Sequence, residues 1–578
     1  MILKRICYII VLTVLIINIT VAQEDIKREV KLYNPFKPTL TRENKMNFYP
    51  QMNDTSFMSP VFKYNIIPKA FMPEYNVRTI QAARLEPDPL SKLYKSYLNI
   101  GFGNYFTPQL ELSVSSDRAR NKVIGFYANH LSSFGKINLE NDDEVFAGYM
   151  DNYASLYATK IFRRSVLSSS IDFEHLRRYA YGYDFNNLAP LATDKDSLRI
   201  DYIMPSASLS FYSTRLDSSH LDYSIDLTYD FLMQNGEYYL HNPSLQMEYG
   251  YNFKPFFASL DLTYELMLSS DAIDNNPQHI VSLSPSISKL SSKWAFNAGV
   301  KIYTYSRDVY DLSNMSDYET KLYFYPDVKF QFEVIPSLVM FYVSLDGDFN
   351  ANRASDIISV NPWLLNYDPS TGLSPSSELY RLKPLNNSLR IGGGIMGSAG
   401  ENTSYNFNTS YTLFEDMLFF KGDTVTGRTF TPVYDSGELL KISAEFSSRI
   451  NKYISLTALA NYYNYQLEKE DYPWYKPTWE GKVSVQYNLR NKIIANAGIS
   501  GSSERFGAYG PSTYTGVVSE SITELPVHLS LNLGFEYRYT KILSFWTRLN
   551  NISTNRYYEF GFYPSQRFLF MAGFTYSL

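Results

Sequence analysis

Leu221-Asp222-Tyr223-Ser224-Ile225-Asp226-Leu227-Thr228-Tyr229-Asp230-Phe231 alternates without a break between apolar and polar side chains. Period two is the signature of a strand, because successive side chains leave a pleated backbone on opposite faces. Asn235-Gly236 then supplies a tight hairpin turn. The same pattern returns at Ala258 to Leu268, where Ser259, Asp261, Thr263 and Glu265 fill the polar positions. It returns again over Gly481 to Arg490 and Val527 to Tyr539. Such runs of about 10 to 14 residues exceed the usual 5 or 6 of soluble strands and suit a tilted membrane strand. Carboxylates on the second face need water, so one face meets lipid and the other a hydrated lumen. In lipid every backbone N–H and C=O must be paired, and strands achieve that only by closing into a barrel. The expected fold class is therefore all-β, a transmembrane antiparallel β-barrel, with a soluble β-sandwich as the rejected alternative.

Composition agrees. The 578 residues are 16% aromatic, with 51 Tyr and 38 Phe, and only 19% charged. Mean hydropathy is −0.25, too low for a helical membrane protein and expected where an apolar and a polar face cancel. Lys4 and Arg5, the apolar run Ile6 to Ile17 and Thr20-Val21-Ala22 read as a signal peptide over residues 1–22. The only cysteine, Cys7, lies inside it, so the mature chain has no disulfide, thiol nucleophile or thiolate metal site. Loss of Lys4 and Arg5 moves the formal charge from −5 to about −7, and no basic block suggests nucleic acid. Residues 23–93 carry Pro35, Pro38, Pro50, Pro60, Pro68, Pro73, Pro87 and Pro89, which resist helix and central strand. They are expected to form an extended periplasmic or lumen-lying segment, with the barrel over 94–578.

Counting alternating runs predicts about 22 strands, with even counts from 14 to 22 allowed. Long external loops are expected at 183–197, 308–319, 351–386, 421–437 and 506–525. Asp222, Asp226, Asp230, Asp261 and Glu265 form a candidate acidic lumen wall, which would favour cations or simply hydrate the lumen. Arg163, Arg164, Arg177 and Arg178 are candidates to offset it. Tyr462, Tyr463, Tyr465, Trp474, Tyr475 and Trp479 are expected in an interfacial aromatic girdle. Gly392-Gly393-Gly394-Ile395-Met396-Gly397 matches G-x-G-x-x-G but lies within a strand pattern, so close packing is expected rather than phosphate binding. His130, His175, His220, His241, His279 and His528 show no metal-ligand spacing. A hydrolase built on Glu174-His175 or on Asp217 and His220 is disfavoured against solvated strand ends. No enzyme activity, cofactor or metal is expected.

The chain ends on Phe568, Phe570, Ala572, Phe574, Tyr576 and Leu578, all on one face. Phe570, Phe574, Tyr576 and Leu578 resemble the C-terminal signal read by the outer-membrane assembly machinery. Just upstream stand Leu549-Asn550-Asn551-Ile552, Asn555-Arg556-Tyr557-Tyr558 and Gly561-Phe562-Tyr563-Pro564-Ser565-Gln566-Arg567. This end resembles that of TonB-dependent receptor barrels, and Gly101, Gly103 and Asn104 are similar to their first hairpin. The resemblance implies an outer-membrane transport or receptor barrel for a small solute. Residues 23–93 are too short and too Pro-rich for the plug domain of that family. The alternative is a structural platform, in which 23–93 docks a periplasmic or envelope protein partner.

Overall fold

In the computed structural model the described residues are 95–577, apart from 117–120, 140, 183–194, 215–219, 236–237, 270–276, 312–313, 365–381, 423–427 and 510–520. The expected segments 1–22 and 23–93, with Leu578, lie outside them.

The chain folds into one sheet in which each wall strand pairs antiparallel with the next. The sheet joins 24 strands, but Arg505–Tyr509 and Ser521–Leu525 form an outlying hairpin attached through the single bridge Gly422↔Tyr509. The wall is thus a closed barrel of 22 strands. Its first strand, Ser96–Gly103, pairs with its last, Leu569–Ser577, in register from Tyr97↔Ser577 to Gly103↔Met571. That seam has its own lock. Trp546 lies across the paired glycines Gly101 and Gly573, where a Cβ on either would meet its indole at 2.5 Å. Its Nε1 donates to Asn99 Oδ1 at 2.7 Å, and Asn99 Nδ2 donates to Glu111 at 3.2 Å.

Both described ends of the chain lie at the rim with short turns, such as Lys254-Pro255 and Arg490–Lys492. Short turns mark the periplasmic rim and long connections the external one. Exposed Tyr251, Phe253, Phe256, Phe341, Tyr487 and Phe535 ring the turn end as an aromatic girdle. Leu221, Leu227 and Tyr229 are exposed, whereas Asp222, Asp226 and Asp230 on the alternate face are half-buried.

Two expected loops are strand instead. Residues 308–311 and 314–319 belong to Trp294–Asp311 and Asn314–Ile335, the latter 22 residues long. Of the expected 421–437 loop, residues 421–422 and 430–437 belong to Thr403–Gly422 and Phe430–Arg449. Cross-strand pairing continued above the membrane overrides the weak local alternation in both. The G-x-G-x-x-G run lies within Leu385–Ser398, and at Gly394 a Cβ would run into Tyr342 Oη at 2.8 Å and the Phe407 carbonyl. Close packing is its role.

The largest apolar core lies at the external mouth. It joins Leu176, Tyr202 and Leu232 from one arc of the wall to Phe419, Phe420 and Phe430 from another. Loop residues fill the space between them: Ile358, Trp363, Trp474, Tyr475, Phe560 and Tyr563. The external loops therefore fold over the mouth as a cap.

Candidate functional site

Three loops supply the large side chains of the cap, joined by Ala180 and by Ala508 and Leu525 of the outlying hairpin. The short helix Ala354–Val360 turns Ala354, Ile357 and Ile358 into the core. Trp363 follows, its indole N–H donating to the Tyr179 carbonyl at 3.1 Å and its ring stacked on Tyr563 at 4.0 Å. The Tyr202 hydroxyl donates to the Pro362 carbonyl at 2.9 Å, tying this loop to the wall. The 468–478 loop is ordered by buried Asp435, whose carboxylate accepts the backbone N–H groups of Lys469 and Glu470 at 3.0 and 2.8 Å. A third loop contributes the hairpin Tyr558–Phe560 and Tyr563–Pro564. These burials stabilise the cap as a unit, at about 1.5–3 kcal/mol per fully buried large side chain.

Lys476 lies within the cap, its ammonium 5.6 Å from the Phe419 ring, and burial holds its pKa below the usual lysine range. Burial raises the Glu559 carboxyl, with Arg178 and Arg505 partly opposing the shift.

One cavity, of about 370 Å³, lies against the acidic wall. Glu174, Asp230, Asn242, Arg353 and Asp356 line it. Arg353, from the loop beside the helix, makes a two-toothed ion pair with Glu265, at 2.7 and 3.2 Å. Asn242 Nδ2 donates to the same carboxylate at 3.0 Å. The register Asp230↔Asn242 and Ser244↔Glu265 brings Asp230 and Glu265 close across the intervening strand Tyr238–Phe253. Asp222, Asp226 and Asp261 lie farther toward the turn end and do not line this cavity. Asp226 accepts from Ser224 Oγ at 2.8 Å, and Asp261 faces Glu248 in the register.

The arginines proposed from sequence do not meet this wall. Arg163 and Arg164 sit in a short turn. Arg177 pairs with Asp201 at 2.6 Å and Arg178 with Asp151 at 2.5 Å. The cation on the acidic wall is Arg353, which sequence reasoning missed because loop residues carry no periodicity to predict their direction.

The expected girdle cluster divides. Tyr462 and Trp479 are exposed, whereas Tyr463 donates to Glu480 at 2.8 Å. Trp474 and Tyr475 are buried in the cap core, because the chain leaves the wall after Leu467.

Histidines mark the opposite face. His130, His175, His241 and His279 share strand faces with exposed Phe126, Ile171, Tyr251 and Val281. Ser132 Oγ, His130, Asn152 and His175 form a hydrogen-bonded chain with steps of 3.0, 2.6 and 3.1 Å, ending on Asp201 at 3.2 Å. Ser–His–Asn order is that of a hydrolytic relay. Yet Ser132 is 0% exposed, so no carbonyl can approach it, and the chain serves to pair buried polar groups. Glu174 and His175 point to opposite faces, as neighbours in a strand must. Asp217 lies outside the described residues. Among the described residues no cluster of three or more His, Cys, Asp or Glu could hold a metal.

A second cavity, of about 590 Å³, is lined in part by Trp363 and Tyr563. Its walls mix aromatic rings, side-chain amides and balanced charges.

No protein-family profile matches the chain, and no curated protein matches it in sequence. Solved structures do match it in fold. The ferric-catecholate import receptor Fiu from K12 E. coli superposes with a TM-score of 0.61 at 9% identity, covering 84% of this chain and 82% of that one. The FrpB iron transporter from Neisseria meningitidis gives 0.63 at 10% identity, covering 85% and 82%. The pyoverdine receptor FpvA from Pseudomonas aeruginosa PAO1 gives 0.60 at 11% identity, covering 84% and 78%. These neighbours are receptors and transporters, not enzymes. The chain thus shares the closed 22-strand barrel fold of these receptors and transporters.

Proposed function

We propose that this protein is a transport or receptor barrel for a small solute, gated from outside by its loop cap. The observation that carries this reading is the attachment of the cap. A wall of 22 strands encloses more space than its own side chains fill. Loops cover its outer mouth through side-chain contacts: the shared apolar core, the Arg353–Glu265 pair and the Tyr202–Pro362 hydrogen bond. A covering of loops held by side-chain packing and polar ties, outside the continuous backbone ladder, suits a gate, since such elements open at lower free energy than the wall. The acidic wall formed by Asp222, Asp226, Asp230, Asp261 and Glu265 would then line the route below the gate.

Planar bilayers test the reading. The wild-type barrel should be closed or conduct rarely, and Arg353→Ala combined with Trp363→Ala should raise its open time. A double variant that stays folded and as silent as the wild type would count against a gated pathway.

A further inference from the structure

The cavity of about 590 Å³ is within the size range of ligand sites and is built from side chains of unusual balance. Its charges cancel: Asp151 and Glu559 face it with Arg178 and Arg567, and Asp151 and Arg178 are already paired at 2.5 Å. An anionic chelate or a polyamine would find no uncompensated partner there. What remains is neutral and hydrogen-bonding. Asn550 lines the cavity with no hydrogen-bond partner for its side chain among the described residues. Asn532 Oδ1 is committed to Ser530 Oγ and to the Asn551 N–H, so its amide N–H₂ is the end left for a ligand. Aromatic rings complete the wall, with Tyr557 held by its contact with His528 at 4.0 Å between ring centres.

Side-chain amides present donor and acceptor together, which is what a hydroxyl requires, since it also does both. An aromatic face accepts the apolar C–H side of a sugar ring while edge-on amides take its hydroxyls. We propose that this cavity binds a neutral, polyhydroxylated solute, an oligosaccharide of two or three residues, as the cargo of the barrel. The proposal rests on the transport reading above and names the class of solute.

The test uses the full chain in detergent, titrated calorimetrically with maltotriose, cellotriose and xylotriose, and with spermidine and citrate as charged probes. Saturable binding of at least one trisaccharide is expected, with neither charged probe binding. Asn550→Ala and Tyr557→Ala should each weaken that binding by about tenfold or more, the loss of one or two good contacts. Thermal melting of both variants identifies any that fail to fold, and binding by the folded one then decides. No trisaccharide binding, binding indifferent to both substitutions, or preference for spermidine or citrate overturns the proposal. Conductance of the Arg353 and Trp363 variant separates this from the transport reading. A conducting barrel that ignores sugars refutes the cargo alone, and a silent barrel that binds them refutes the transport.

Discussion

At the residue scale the most consequential side chain is Arg353, which holds the 351–364 segment against the wall through Glu265. Glu265 has only 8% of its side chain exposed, whereas Arg353 retains 40%, so the pair is partly screened by water. Glu265→Ala should loosen the segment by about 1–3 kcal/mol, the range for charge-assisted hydrogen bonds discounted for exposure. Amide exchange over Ala354–Val360 should speed accordingly, while exchange in the wall strands stays unchanged. Glu559 and Lys476 give the cap opposite responses to pH. Burial raises the Glu559 carboxyl, so the folded cap favours its protonated form. That contribution is full below the ordinary glutamate pKa and is lost as pH rises through the raised value. Burial lowers Lys476, so the folded cap favours the neutral amine, and this contribution is lost as pH falls below the ordinary lysine range. Glu559→Gln should flatten the acid-side dependence of cap exchange, and Lys476→Met should flatten the alkaline side. An unchanged profile in either variant would show that burial of the group is not maintained in solution.

At the element scale the seam is the vulnerable joint. Leu569–Ser577 pairs with both Leu543–Asn550 and Ser96–Gly103, so it completes the wall from both sides. Until it docks, those neighbours are open edges. Gly101→Ala forces a methyl against the Trp546 indole and should cost about 1–3 kcal/mol, the usual range for overpacking. The heat-modifiable gel shift of the folded barrel should then occur at lower temperature. Trp546→Ala would leave Asn99, which is 2% exposed, without the donor it accepts from, and should have a similar effect. The strands were legible because period two holds through most of the wall. Residues 308–319 and 421–437 escaped notice because strands extending above the lipid have no lipid face to keep apolar. Trp474 and Tyr475 escaped for a related reason. Their composition suits a girdle, and only the departure of the chain from the wall after Leu467 sends them into the cap.

For the whole molecule, closure and covering are separate events. The wall forms through backbone pairing of strands that mostly follow one another in the chain, and closes where the first meets the last. The cap forms only when loops from distant arcs meet over the mouth, around Trp363, Phe430 and Tyr563. Denaturation should therefore show the cap loosening before the wall, with Trp emission changing ahead of the strand signal in circular dichroism. Coincident transitions would mean that cap and wall are one cooperative unit. The sequence by itself determined the barrel and which residues share a face, because a membrane strand writes its two environments into alternate positions, while closure at 22 strands was fixed by the pairing of the structure. Only the tertiary structure decided that the mouth is covered, that Arg353 answers Glu265, and that neutral amides and aromatic rings gather in one cavity. Those contacts join residues far apart in the chain through loops with no repeating pattern, so nothing local encodes where their side chains point.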